Sequence, residues 1–342
     1  MSEHPVPLPA AGPVAEPVAH RVAGPAPGPA ARPEPVDPSR PFGAHLRMRW
    51  WRPLVILPIL AVAMFGLQIA LTIVVVVFET VAFGRDPSDM SLSPLLLLST
   101  NISLAVLAPL ALLLAVRIGG VPWRAVLRVG RSFRWGRMAG YFGLFALLIG
   151  AVYGISAIWV PMGEHAPMIT ATTLGLIAVA LLTTPLQAAA EEVVFRGVTT
   201  AAVASWIRPA AVALPVGIAA SSVLFGLAHG AGDPWLIAYY IAFGLSMALM
   251  ALISRGLEAP IAFHVTNNLI SMVLAALLSG GGGLVIDRSA GAGGPFMLVF
   301  IGMDLAAVGI VWLLERRRRA ADPARTWSSS PERSDLSPSQ TP

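Results

Sequence analysis

Two adjacent carboxylates and a guanidinium lie inside one long apolar segment of the chain. Glu191, Glu192 and Arg196 fall within the apolar stretch 169–207. Residues four apart share a helix face, so Glu192 and Arg196 can form an ion pair. Glu191 is turned about 100° from Glu192 and has no partner in its own segment. Ionisable residues at membrane depth are costly and indicate a functional site. An ion pair that only joins helices is the alternative, but it needs a single carboxylate.

Two further polar pairs follow in later apolar segments. Phe225 and His229 share one helix face, and so do His264 and Asn268. An imidazole and an amide that face the same way can hold a metal ion, a water molecule or a developing oxyanion. Each pair alone is equally explained by hydrogen bonding between membrane helices. The three clusters together favour a reactive site.

The spacing of these residues sets a geometric condition. Glu191 and His229 lie about 18 and 20 residues from the Arg208 turn, so antiparallel helices bring them level, about 27–30 Å from it. His264 lies only about 12 Å from the Arg255 turn. All the groups can therefore meet only if the two hairpins are offset by roughly 15 Å along the membrane normal.

Composition restricts the chain to one structural class. Of its 342 residues, 56% are hydrophobic and 12% are charged, and the mean hydropathy is +0.74. Soluble domains carry about 25% charged residues. We therefore predict an all-α, polytopic membrane protein with about eight transmembrane helices. Their predicted limits are 53–83, 94–116, 139–160, 169–207, 211–229, 235–254, 257–279 and 295–314.

The fourth predicted segment is too long for a simple crossing. Its roughly 39 residues would extend about 58 Å as a helix, against a hydrocarbon core of about 30 Å. Pro185 offers a kink or a helix start. We expect either a broken helix or one that projects into the cytoplasm, which would supply the offset between the hairpins.

Charge and composition predict the organisation of the chain. Residues 1–44 are rich in Pro and Ala and are expected to be a disordered tail, as are the basic, Ser- and Pro-rich residues 315–342. Residues 45–168 are predicted to form N-terminal transmembrane helices with a basic loop, and 169–314 hold the polar clusters. The arginines border membrane spans, so the positive-inside rule predicts a cell-membrane protein with both termini cytoplasmic. The basic balance therefore points to a lipid bilayer and not to nucleic acid.

The three polar clusters resemble the motifs of the CAAX-protease and bacteriocin-processing family, also called CPBP or Abi, of intramembrane endopeptidases. That family carries Glu-Glu-x-x-x-Arg, Phe-x-x-x-His and His-x-x-x-Asn in this order on successive membrane segments. All three motifs are intact here, over about residues 182–278. The resemblance implies that 169–314 is a catalytic region that hydrolyses a peptide bond within the membrane.

The resemblance also implies roles for individual residues. Glu191 would be the general base that activates water, and His229 would hold that water or a metal. His264 and Asn268 would stabilise the oxyanion or complete a metal site. The expected substrate is a membrane-embedded peptide or protein. The composition suggests a bacterial source. Prenylated C-terminal tails, the substrates that give the family its name, are therefore not expected here.

A divalent metal such as zinc is one expectation, and a metal-independent mechanism is the other. Glu191, His229 and His264 would supply three ligands and leave a fourth position open for water. Glu192 and Arg196 would give structural or electrostatic support in either case.

Other chemistries fit the sequence less well. There is no His-Glu-x-x-His, no Gly-x-Ser-x-Gly and no cysteine. Residues 230–233 match Gly-x-Gly-Asp, but an aspartyl protease needs two aspartates, and the available partner is Asp304. A turn explains these residues more simply. A non-catalytic membrane scaffold or a small-molecule transporter remains the alternative from a different class.

Overall fold

The computed structural model describes residues 35–159 and 167–321. This part of the chain is helical and contains no β-strand, only isolated bridges. The helices are α1 (Arg52–Phe83), α2 (Pro94–Ala105), α3 (Leu107–Arg117), α4 (Trp123–Leu127), α5 (Trp135–Trp159), α6 (Ala171–Glu192), α7 (Thr200–Ala204), α8 (Ala210–Ala228), α9 (Pro234–Ser254), α10 (Glu258–Leu277) and α11 (Met297–Ala321). A π-helical segment (Val193–Thr199) joins α6 to α7.

Within residues 35–159 and 167–321, eight segments are long and apolar enough to cross a membrane. Six of them are single helices: α1, α5, α8, α9, α10 and α11. The other two are composite: α2 with α3 (Pro94–Arg117), and α6 through α7 (Ala171–Ala204). The predicted class, a polytopic all-α membrane protein with eight spans, is confirmed.

The fourth span is irregular immediately after the carboxylate pair. Its π-helical segment leaves the backbone carbonyl of Phe195 open to additional donors, as expected where the helical ladder widens. Thr200 Oγ1 and Ser221 Oγ both donate to that carbonyl, at 2.9 and 2.8 Å. Pro185 lies inside α6, which continues past it, so the irregularity is at the π-helical segment and not at the proline.

The structure contains the offset between the hairpins. A Cβ on Gly197 would lie 3.6 Å from Leu257, an ordinary van der Waals distance, so the α9–α10 turn packs beside the π-helical segment at this level. This contact lies 208 − 197 = 11 residues before Arg208, or about 16 Å along the span. Glu191 precedes Gly197 by six residues, and His264 follows Leu257 by seven. The two side chains are therefore level, as a shared site requires.

The N-terminal helices do not form a separate unit from the polar region. α2 packs against α6 and α5 packs against α10, so the predicted segments 45–168 and 169–314 contribute to one bundle. The predicted boundary between them is a position in the sequence and not a gap in the packing.

The ordered bundle begins before the predicted end of the N-terminal tail at residue 44. Residues 1–34 lie outside the described part, so disorder there stays a prediction. Phe42, Ala44 and His45, however, are buried. His45 Nε2 donates to the carbonyl of Ala125 at 2.8 Å, and its Nδ1 accepts from the Gly43 amide at 3.2 Å. These bonds tie residues 42–48 to the bundle, which the Pro- and Ala-rich composition does not reveal.

The last helix extends beyond the predicted start of the C-terminal tail at residue 315. α11 continues to Ala321, and residues 322–342 lie outside the described part. Glu315 is buried and accepts from Tyr141 Oη at 2.6 Å. It also forms an ion pair with Arg137, which fixes the end of α11 to α5, and a second one with Arg318 of its own helix.

His45 predicts a pH dependence of stability. Burial lowers the pKa of His45 to about 4, below the value of about 6.5 for an unfolded histidine. The unfolded state therefore binds more protons between these values, and stability is lost as pH falls from 6.5 to 4. The loss should reach about 3 kcal/mol. In thermal unfolding of the detergent-solubilised protein, His45→Asn should flatten the decline in midpoint between pH 7 and pH 4. An unchanged decline would contradict this assignment.

Candidate active site

One cavity of about 530 Å³ collects the four predicted catalytic side chains. They come from three different spans: Glu191 from α6, His229 directly after α8, and His264 and Asn268 from α10. Glu192 and Arg196 lie behind this wall and do not line the cavity. Their separation from the cavity matches a supporting position.

The support behind the cavity is a buried chain of charges. Glu192 is fully buried, and its Oε1 lies 3.2 Å from Nη1 of Arg196. The same oxygen accepts from Nδ1 of His264 at 2.7 Å. The Arg196 guanidinium lies 4.3 Å from the centre of the Phe225 ring, a cation–π contact. Glu192 and Arg196 thus fix the orientation of His264. The Glu192 carboxylate accepts at Nδ1, which favours the tautomer with the proton on that nitrogen.

The second nitrogen of His264 faces the other carboxylate. Nε2 lies 3.4 Å from Oε2 of Glu191. In a neutral ring with its proton on Nδ1, Nε2 carries a lone pair. Two acceptors therefore face each other across this gap, and a proton or a water hydrogen between them can be shared. The arrangement suits proton transfer between Glu191 and His264.

His229 presents one free nitrogen. Its Nδ1 donates to the backbone carbonyl of Phe225 at 2.8 Å, which leaves the lone pair of Nε2 available in the neutral ring. The ring of Tyr240 stacks on the imidazole, with centroids 4.0 Å apart and planes 21° apart. Neutral His229 can thus accept a hydrogen bond from water. It has no second N–H to offer an oxyanion.

Asn268 is held by its neighbour in the sequence. Nδ2 of Asn267 donates to Oδ1 of Asn268 at 3.2 Å, and both residues line the cavity. The carbonyl oxygen of Asn268 is therefore occupied, and its NH₂ group is the free donor. An amide donor beside a carboxylate base suits acyl transfer to water, because the base can activate the water and the amide can stabilise the oxyanion.

Several cavity residues are not predicted by the sequence patterns described above. Gln187 precedes Glu191 by four residues, and this spacing could have identified it. Tyr240 and Asn101 carried no comparable signal. The Asn101 side chain donates to Thr183 and Thr184 of α6 at 2.8 and 3.0 Å, which joins α2 to the helix that carries the carboxylates.

The remaining cavity wall is largely apolar. It is built by methionine, leucine and aromatic side chains from several spans: Met64, Phe65, Leu97, Leu104, Met272 and Phe300. The cavity thus places apolar side chains beside the polar cluster, and its volume is typical of ligand sites.

The candidate metal ligands do not form a ready metal site. Within residues 35–159 and 167–321, no three His, Asp or Glu side chains are arranged to hold an ion. Nδ1 of His264 is hydrogen-bonded to Glu192, and its Nε2 faces Glu191 at 3.4 Å. The zinc expectation stays a prediction, and the mechanism below uses side chains alone.

Comparison with known proteins matches the segment that builds this cavity. Residues 173–270 match the family described as "Type II CAAX prenyl endopeptidase Rce1-like". The match spans all three motifs, from the carboxylate pair to Asn268. The match supports the assignment of this segment to the CAAX-protease family. The CAAX-protease assignment describes an intramembrane endopeptidase at the level of the family, and the three N-terminal spans lie outside the match.

A second comparison extends beyond the CAAX-protease segment. The chain is 27% identical over 263 residues to a protein of Bacillus subtilis (strain 168) named "Uncharacterized protein YyaK". The similarity covers 73% of this chain and 86% of that protein. No solved structure matches the chain significantly.

Proposed function

We propose that this chain is an intramembrane endopeptidase in which Glu191 activates a water molecule to hydrolyse a peptide bond. The observation that carries this proposal is the convergence of Glu191, His229, His264 and Asn268 on one cavity. A scaffold requires no such convergence of a carboxylate, two imidazoles and an amide donor. The family assignment supports the reaction class, and the roles rest on the geometry.

The contacts support an ordered reaction. Glu191 accepts one proton from water, while the other water hydrogen stays on the oxygen and donates a hydrogen bond to His229 Nε2. The resulting hydroxide attacks the scissile carbonyl carbon, and the carbonyl oxygen becomes an oxyanion. The free NH₂ group of Asn268 donates to that oxyanion. The proton held between Glu191 and His264 then passes to the leaving nitrogen as the carbon–nitrogen bond breaks.

The buried ion pair has a positioning role in this scheme. Glu192 holds the proton of His264 on Nδ1, so that Nε2 is the nitrogen that faces Glu191. Arg196 balances the negative charge of Glu192 through the ion pair at 3.2 Å. Neither side chain contacts the substrate in this arrangement.

The cavity also suggests the substrate. The apolar side chains of its wall favour a peptide with hydrophobic side chains near the cleaved bond. Such a peptide would enter the cavity from the membrane. We propose a membrane-embedded peptide or protein in the cell membrane. The arginine-rich loop 117–138 and the basic end of α11 support placement of both termini in the cytoplasm.

Peptide cleavage by the purified protein in liposomes tests the function. A panel of acylated peptides with apolar residues should yield paired fragments by mass spectrometry, whereas empty liposomes should not. A parallel reaction with a chelator reports on the zinc expectation, because metal-independent chemistry should keep its rate. Absence of cleavage across the panel, together with uptake of a small solute by the liposomes, would favour a transporter.

A further inference from the structure

Arg288 is the one arginine on the cavity wall, judged from residues 35–159 and 167–321. It lies in the loop between α10 and α11, beside the candidate active site. Its Nη1 donates to the backbone carbonyl of His229 at 3.0 Å, and its guanidinium lies 6.0 Å from the centre of the Tyr240 ring. A cation is therefore placed next to the imidazole that faces the proposed water.

The loop that carries Arg288 is fixed to the α8–α9 turn. The carbonyl of Arg288 accepts from the Gly232 amide at 2.8 Å. Asp233 caps α9 by accepting from the amides of Trp235 and Leu236, and its other oxygen accepts from the Gly291 amide at 3.0 Å. The position of Arg288 beside His229 is thus held by a bond at its own carbonyl and by a second bond at Gly291.

The charge of Arg288 is not neutralised within the described part of the chain. A guanidinium has five N–H donors, and the hydrogen bond of Nη1 to His229 is the one that this side chain makes there. Arg85, in the loop after α1, differs: it pairs with Glu79 at 2.5 Å and with Asp89 at 3.2 Å. Among the described residues, Arg288 thus brings free N–H donors and an unpaired positive charge to the cavity wall, whereas the charge of Arg85 is paired in its own loop.

The neighbouring acidic residue does not compensate this charge. Asp287 is engaged by Ser289, whose amide and hydroxyl donate to it at 2.8 and 2.7 Å. Arg288 itself is exposed at the mouth of the cavity, where an incoming group can reach it. An arginine with free donors favours a planar, bidentate oxyanion such as a carboxylate.

We propose that Arg288 is a specificity-determining residue that binds a carboxylate of the substrate peptide. This inference rests on the proposed function. Glu191 repels an anionic group from the reacting end of the cavity, and Arg288 attracts it to the mouth beside His229. The peptide is thereby oriented with its anionic group towards the α10–α11 loop. An acidic side chain or a free C-terminal carboxylate offers this chemistry.

Binding to the Glu191→Gln variant tests the inference without turnover. Three acylated peptides of one apolar sequence are compared: one with a free C-terminus, one amidated, and one amidated with an internal glutamate. We expect a carboxylate-bearing peptide to bind about tenfold or more tightly than the plain amide, because a charge-assisted hydrogen bond is lost. The tighter of the two carboxylate peptides identifies the source of the anion.

Substitutions at Arg288 assign the preference to this side chain. In the same background, Arg288→Gln should remove the preference and Arg288→Lys should keep part of it. Asp287→Asn, in the same loop and outside the cavity wall, should leave affinities within about twofold. Equal binding of all three peptides, no binding of any, or a preference that survives Arg288→Gln would overturn the inference. A wild-type protein that shows the preference but never cleaves would instead overturn the proposed function alone.

Discussion

Glu191→Gln is expected to lower kcat for peptide cleavage by about 10³-fold or more. The glutamine amide keeps the size and polarity of the side chain but cannot accept the proton of water. The neighbouring contact with His264 Nε2 can still form, so the cavity should keep its shape. KM should change little, because Glu191 acts on water and not on the apolar part of the peptide.

Asp304→Asn is the matched control for that substitution. Asp304 is a fully buried carboxyl in α11, and neither of its oxygens has a hydrogen-bond partner among the residues that the structure describes. It does not line the cavity. Its conversion to an amide should leave kcat within about twofold. Equal loss of activity in both variants would show that any buried carboxyl change disturbs the bundle, which contradicts a specific role for Glu191.

Arg196→Met should destabilise the protein by about 3–5 kcal/mol. The substitution leaves the Glu192 carboxylate buried with His264 as its remaining partner and removes the cation from the Phe225 ring. The apparent unfolding midpoint in detergent and the yield of monodisperse protein report this loss.

The double variant Glu192→Gln, Arg196→Met should recover most of that stability. A buried charge without its partner is removed, and the side-chain oxygen of the introduced glutamine can still accept from Nδ1 of His264. Recovery separates an electrostatic cause from simple loss of packing volume. A double variant no more stable than Arg196→Met alone would contradict the ion-pair account.

The sequence alone predicts the fold class, because a membrane span is defined by the length and hydropathy of one continuous segment. Length and hydropathy define spans, and the structure contains all eight that they predict. The limits of the helical bundle are harder to predict. The burial of Phe42 and His45 depends on tertiary contacts that composition does not encode. The helical continuation beyond Glu315 likewise depends on its bonds to Tyr141 and arginines.

Helical spacing identifies the candidate site residues but not how they meet. The periodicity of four residues predicts the Glu192–Arg196 pair, which the structure contains at 3.2 Å. It cannot show that Glu192 also holds His264, because that contact joins residues 72 apart in sequence. The offset between hairpins is likewise seen only in the packing of Leu257 beside Gly197. Arg288 resembles an ordinary loop charge until its place beside His229 is visible.

The most direct measurement of the central claim is peptide hydrolysis in ¹⁸O-labelled water by the liposome-reconstituted protein. The account predicts two fragments from one cleaved bond, with one ¹⁸O atom in the new carboxyl group, from wild type and not from Glu191→Gln. The contradictory result is an intact peptide with wild type, or the same labelled fragments at the same rate from both proteins.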